Sequence, residues 1–191
     1  MEKGDTAMPK LSVFESVTLD GYFTDAGGDL GWAHKDDAEW NAFVSKNASG
    51  NGVLVFGRIT YEMMIQFWPT PAAMETMPAV AKGMNNSQKI VFSRTLKKAA
   101  WKNTTLVKAD PVAAIRKMKK EKGPDLVILG SGTIVALLAQ AGLIDEYQIA
   151  LCPVVLGKGR TLFEGVKRKL DLKLAETRAF ANGTVFLRYA A

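Results

Sequence analysis

The 191-residue chain has one cysteine, Cys152, and one histidine, His34. A single cysteine excludes an internal disulfide framework, and one of each leaves no metal cluster of recognisable spacing. The zinc deaminase signature, which needs H-x-E and P-C-x-x-C, is excluded for the same reason. No stretch approaches the ~20 apolar residues of a membrane span, and the N-terminus has no signal-peptide core. With nothing to export it, the expectation is a cytoplasmic protein with no membrane partner. Basic residues exceed acidic ones by six. They are scattered, apart from Lys117-Met118-Lys119-Lys120 and Lys167-Arg168-Lys169, and aromatics are not interleaved with them. That pattern speaks against a nucleic-acid partner. A polyanionic small molecule, with solvated helix faces, explains the charge as well.

The length suits one domain with a sizeable core. Residues 1–9 read as a disordered leader and 10–191 as the domain. Leu11 to Leu19 reads as a first strand with Val13, Val17 and Leu19 on one face. Asp20-Gly21 is a turn signal, and Asp25-Ala26-Gly27-Gly28-Asp29 a glycine-rich loop that ends at Trp32. That loop reads as a lid over a pocket or as a plain surface loop. A helix is predicted over Asp36–Lys46, and Asn47 to Gly52 breaks it. Val53-Leu54-Val55-Phe56, Lys89-Ile90-Val91-Phe92, Thr104 to Lys108 and Leu126-Val127-Ile128-Leu129 read as strands. Between them lie helical segments from Ile59 to Phe67 and from Asp110 to Lys120, with Asp110 as N-cap. Pro71 to Met84 is irregular or helical. A helical run from Ile134 to Ala141 follows the fourth of these strands. Tyr147 to Leu151, Leu170 to Phe180 and Thr184 to Tyr189 complete the strands, with Asn182-Gly183 as a hairpin turn. Strands alternate with helices and then give way to hairpins. The expected fold is α/β, with a mostly parallel sheet and an antiparallel C-terminal hairpin.

Three of these strands end in the same kind of loop. VLVF runs into Gly57-Arg58-Ile59-Thr60, KIVF into Ser93-Arg94-Thr95, and LVIL into Gly130-Ser131-Gly132-Thr133. In a parallel sheet all three carboxyl ends lie on one edge, where ligands of open α/β sheets bind. A strand that ends in glycines and feeds a helix presents free N–H groups and the positive end of the helix dipole to an anion. The third small residue of a dinucleotide fingerprint is missing, because Val135 occupies its position. A tight strand-to-helix turn without a ligand is therefore the other reading of Gly130–Thr133. Arg58 is informative, since the helix dipole opposes a cation at a helix start. A bound phosphate explains its placement; so does pairing with a neighbour such as Glu62. Arg94 supplies a second cation on the same edge, and two arginines suit a nucleotide with an extra phosphate, as in NADPH.

FGRITYE, then KIVFSRT, then VILGSGT follow the order of cofactor motifs in the dihydrofolate reductase superfamily. The opening SVTLDGYFT and the stretch DEYQIALCPVVLGKGRTLFEG resemble one branch of it more closely. That branch is the reductase domain of the bifunctional riboflavin-biosynthesis deaminase/reductase, with its stand-alone relatives. The resemblance covers roughly residues 10–190. It implies a three-layer α/β/α dihydrofolate reductase-like fold, NADPH as hydride donor, a small-molecule substrate and a homodimer. By resemblance, Arg58 and Thr60 contact cofactor phosphate, and Ser93 and Arg94 hold the adenosine 2′-phosphate end. Gly130, Ser131, Gly132 and Thr133 cradle the pyrophosphate. The nicotinamide then lies near the first strand, and substrate near Ser16, Asp20 and the Gly27–Trp32 loop. Asp20 is the nearest carboxylate for proton delivery or substrate hydrogen bonding, although Asp-Gly is also common turn chemistry. Asp36, Asp37, Glu39 and His34 lie on or near the helix that bears the dihydrofolate reductase carboxylate. There, an acid that caps the helix is the competing role. Lys158 and Arg160 offer a clamp for a substrate phosphate, or a solvated loop. No deaminase signature accompanies these motifs, so the expectation is a stand-alone reductase half. The resemblance implies a reductase similar to 5-amino-6-(5-phosphoribosylamino)uracil reductase. A dihydrofolate or pterin reductase, and a non-catalytic nucleotide-binding protein, are the alternatives.

Overall fold

The computed structural model describes residues 8–33, 37–48 and 52–191. His34, Asp36, most of the leader and the break around residues 49–51 lie outside them. Eight strands form one sheet in the order β5-β4-β3-β6-β1-β7-β10-β9. These are β1 (Leu11–Thr18), β3 (Val53–Gly57), β4 (Lys89–Phe92), β5 (Thr104–Val107), β6 (Leu126–Leu129), β7 (Glu146–Cys152), β9 (Lys173–Ala179) and β10 (Val185–Ala190). The first six in spatial order run parallel; β10 and β9 close the sheet as an antiparallel pair. Two short strands, β2 (Tyr22–Thr24) and β8 (Arg160–Thr161), make a separate antiparallel ribbon.

Strand alternation sends side chains to two faces, and each face has its own cover. On one, Leu11, Val13, Val55 and Ile128 pack with Ile115 of α5 (Pro111–Met118) and Ile134 and Leu138 of α6 (Gly132–Gln140). On the other, Leu54, Phe56 and Val91 pack with Tyr61 of α2 (Arg58–Phe67) and with Val80 and Met84 of α4 (Pro78–Asn86). Farther along the second face, Trp40 and Phe43 of α1 (Ala38–Ala48) meet Phe14, Phe180 and Phe186. The result is the expected three-layer α/β/α arrangement.

Several boundaries differ from the sequence reading for physical reasons. β1 stops at Thr18, and Leu19 is 65% exposed rather than on the core face with Val13. The Thr18 hydroxyl turns the chain there by donating to Asp20 Oδ1 and accepting the Tyr22 N–H. Pro71 to Met84 resolves into α3 (Pro71–Thr76) and α4, because Pro71 and Pro78 each start a new helix. Leu170 to Phe180 shortens to β9, whose seven residues are all exposed. Asp110 caps α5 as expected, its Oδ1 accepting the Ala113 N–H at 2.9 Å.

Lys89 begins a strand yet is only 1% exposed. Its ammonium group donates to the carbonyls of Met84, Asn85 and Ser87 and lies 4.6 Å from the Trp101 ring centroid. It thus satisfies the carbonyls that end α4 and sits where the helix dipole favours a cation. Burial, with nearby Lys102, pushes its pKa down to about 8, so it remains largely charged at neutral pH. Replacing Lys89 with Met orphans these carbonyls. Urea denaturation should show a loss of roughly 2 kcal/mol; unchanged stability would show that water takes over as their donor.

Candidate functional site

The register brings the three loops side by side. β3 lies between β4 and β6, with Gly57 opposite Phe92 and Val55 opposite Ile128. Ser93-Arg94, Gly57-Arg58 and Gly130-Ser131 therefore leave adjacent strands at the same carboxyl edge. β1 is the next strand along, and it carries Ser16 past the end of β6.

Ser131 braces this edge from inside. It is buried and holds a left-handed backbone, φ 65° and ψ 50°, as the residue before α6. Its hydroxyl accepts the Gly57 N–H at 2.8 Å and donates to the Leu129 carbonyl at 3.3 Å. The side chain expected to cradle a phosphate instead ties the turn after β6 to the turn after β3. Gly130 lies against Thr60, whose side chain a Cβ there would approach to 2.8 Å. Gly132 packs on the Phe23 ring so closely that a Cβ would overlap it. Both glycines answer first to protein packing. Thr60 is buried beneath Gly130 and supports the turn rather than facing solvent. Thr133 is exposed in the first turn of α6, where backbone N–H groups lack intrahelical acceptors.

The arginines divide. Arg58 pairs with Glu62 at 2.7 Å, with both side chains about two-fifths exposed, which is the neighbour pairing foreseen from sequence. Arg94 is exposed and has no side-chain partner among the described residues. Beside it, the Ser93 hydroxyl accepts the N–H groups of Thr95 and Leu96, which shapes the turn that presents Arg94. A guanidinium on a preformed turn, a solvated pair at a helix start and the open first turn of α6 together make a donor set that fits a nucleotide phosphate. Arg160 joins the α6 end of this set. A surface pocket of about 300 Å³ is lined by Gly132, Thr133, Leu137, Gln140, Arg160 and Glu164.

On the substrate side, Asp20 is exposed and its carboxylate is occupied. It accepts from Thr18 Oγ1 at 2.6 Å and from the N–H groups of Leu156 and Gly157, at 3.1 and 2.7 Å from Oδ2. The Thr18 hydroxyl above all, opposed by desolvation and helped by the amides of Gly157 and Leu156, holds its carboxyl below the ordinary aspartate range. Such a group clamps the turn after β1 to the 154–157 segment and carries no proton to deliver at neutral pH. Trp32, in a 3₁₀ turn at Gly31–Ala33, is half-buried, and its indole N–H is buried without an acceptor among the described residues. That unpaired donor is the feature of the predicted substrate region that most resembles a binding group. The Asp25–Asp29 loop is tied down by Asp25 Oδ1, which accepts the Gly27 and Asp29 N–H groups. Asp37 Oδ1 accepts the Trp40 N–H, so Asp37 caps α1, and Glu39 pairs with Arg178. Glu15, missed from sequence, is buried on β1 with Oε2 unpaired. The signal was present: Leu11, Val13 and Glu15 continue one inward alternation.

The RibD C-terminal domain family model matches residues 9–186. The chain belongs to the RibD C-terminal domain family. It is a reductase-like family, and the fold is dihydrofolate reductase-like. The uncharacterised Bacillus subtilis protein YyaP is 29% identical over 175 residues, which span 91% of this chain and 90% of YyaP. Among solved structures, a "Putative riboflavin biosynthesis protein" of Shewanella sp. PV-4 superposes with TM-score 0.71 at 23% identity, over 95% of this chain and 98% of that one. The deaminase/5-amino-6-(5-phosphoribosylamino)uracil reductase of Thermotoga maritima gives 0.66 at 14% identity, over 96% of this chain and 56% of the bifunctional one. Enterococcus faecalis dihydrofolate reductase, complexed with NADP(H), gives 0.59 at 16% identity, over 96% and 97%.

The Ser131 brace yields a paired prediction. Ser131→Ala strands the Gly57 N–H and keeps the left-handed strain, and should cost about 1–3 kcal/mol in urea denaturation. Ser131→Gly loses the same bonds but relieves roughly 1 kcal/mol of strain, so it should be the milder variant. The reverse order would mean that the hydroxyl bonds do not hold the turn.

Proposed function

We propose that this protein is an NADPH-dependent reductase of a small polar or heterocyclic molecule, similar in activity to 5-amino-6-(5-phosphoribosylamino)uracil reductase. The observation that carries the reading is the adjacency of three loops on the β4-β3-β6 edge, with Arg94 exposed and unpaired at one end. Open α/β sheets bind ligands at this edge. Arg94 would hold the 2′-phosphate. Arg58, exchanging Glu62 for a phosphate oxygen, would take part of the diphosphate, and the first-turn N–H groups of Gly132 and Thr133 the rest. Ser131, Thr60 and Ser93 act behind them by fixing the loops. When bound, the nicotinamide supplies the hydride. The chain's own task is to orient the acceptor on the far side of β1, near Ser16 and the unpaired Trp32 N–H.

The name of the Thermotoga protein supports a reduction by this fold and the Enterococcus complex supports NADP(H) as its nucleotide, and carrying both to this chain is part of the proposal. So are a cytoplasmic location and a homodimer. The fully exposed edge strand β9 supports the dimer, because an unpaired edge invites a further strand or a covering subunit.

Tryptophan-fluorescence titration with NADPH and NADH tests the reading. Wild type should prefer NADPH. Arg94→Ala should weaken NADPH about tenfold or more, the loss of one charged hydrogen-bonded contact, and change NADH less than twofold. Equal loss for both nucleotides would remove the 2′-phosphate role, and no binding of either would remove the cofactor.

A further inference from the structure

Glu15 takes no part in the contacts described above. β1 pairs with β6 only as far as Phe14 opposite Leu129, while its pairing with β7 continues to Thr18. Glu15 is therefore the first residue of β1 beyond the end of β6, level with Gly130, where the chain turns into α6. Alternation places its side chain on the sheet face of Leu11 and Val13, the face that α6 covers. Register and alternation thus direct the side chain toward the turn that feeds the α6 N-terminus. It is 5% exposed, and Oε2 has no hydrogen-bond partner.

A carboxylate in that position would be costly, since buried charge without a partner is strongly disfavoured. Burial, opposed in part by the Ser16 N–H, pushes its pKa up to about 8, so Glu15 keeps its proton at neutral pH. Few titratable groups share this face among the described residues, and Arg168 acts on one of them, Tyr147. β6 and α6 contain no ionisable side chain. Tyr147 of β7 shares the face, and burial pushes it to about 12. Arg160 of β8 lies over Phe23, 5.5 Å from the ring centroid. Lys119, after α5, pairs with Asp145 at the amino edge.

An ionised Glu15 would place a negative charge behind the N–H groups and dipole that a phosphate needs. The neutral acid leaves them available. We propose that Glu15 is a positioning residue of the nucleotide site: its neutral carboxyl lets a phosphate settle on the Gly130–Thr133 turn, and its ionisation drives the nucleotide off. This rests on the nucleotide reading above. By linkage, nucleotide binding and proton retention on Glu15 reinforce each other.

NADPH affinity measured by fluorescence at pH 7, 8 and 9 tests it. If only the protonated form binds, the competent fraction falls so that wild-type affinity is about tenfold weaker at pH 9 than at pH 7. Glu15→Gln, uncharged and of the same shape, should match wild type at pH 7 and change less than twofold to pH 9. Glu15→Ala, should Gln perturb folding, removes the charge differently and should also be flat. A wild type with a flat profile, or a Gln variant with the wild-type slope, overturns the role of Glu15 and leaves the cofactor reading standing. Absence of NADPH binding by wild type at pH 7 overturns both.

Discussion

Ser131 gives up a comfortable backbone to make one bond: its hydroxyl accepts the Gly57 N–H at 2.8 Å while its φ stands at 65°. The arrangement of the carboxyl edge depends on that bond. β3 and β6 are neighbours by register, but register alone does not fix how their outgoing turns lean. The bond does, and the close packing of Gly130 on Thr60 and of Gly132 on Phe23 locks the same junction from two further sides. A left-handed non-glycine residue is costly unless its surroundings over-determine it. Here the constraint fixes the first turn of α6, and with it the direction of the N–H groups an anion would meet.

The opposite edge is secured by a cation instead. Lys89, at the amino end of β4, collects the carbonyls that close α4, and Asn85 links the same region through its amide to the Trp68 carbonyl and through its Oδ1 to Trp101. β4 is thus anchored at its start, so its carboxyl end can present Arg94 on a short turn shaped by Ser93. Strands anchored at their amino ends leave the polar carboxyl ends as the edge on which the proposed nucleotide contacts would be made.

Backbone contacts explain which half of the site could be read from sequence. VLVF and LVIL, and IVF after Lys89, are apolar runs of the kind buried parallel strands carry, and the glycines and hydroxyls after them mark turns. Their order in the chain therefore placed three turns on one edge of the sheet, as the register shows. The roles of individual side chains were harder, because the same residue type serves a ligand or the protein. Ser131, Thr60 and Ser93 turned inward to hold loops. Arg58 found Glu62 one helical turn away. The β2–β8 ribbon was half seen: Tyr22 to Thr24 read as extended, but its two-residue partner at Arg160 is too short to leave a pattern. Glu15 was hidden by habit rather than by chemistry, since a carboxylic acid at an inward position breaks the polar/apolar rule only if the alternation through Leu11 and Val13 is carried two residues further.

Two carboxyl groups near the end of one strand show how far environment separates identical chemistry. Asp20 lies in solvent with a hydroxyl and two amides on its oxygens, which holds its pKa down and keeps it an anion. Glu15, five positions earlier, lies under α6 with one oxygen unpaired, and burial keeps it an acid. Groups driven apart in this way take opposite tasks. The anion can only accept, and it does so by closing the loop from Leu156 to Gly157 over the end of β1. The acid keeps the inner side of the Gly130–Thr133 turn uncharged. Exchanging the two states would disturb both places: a neutral Asp20 would weaken the clamp on the Leu156–Gly157 loop, and an ionised Glu15 would oppose the anion proposed for this edge.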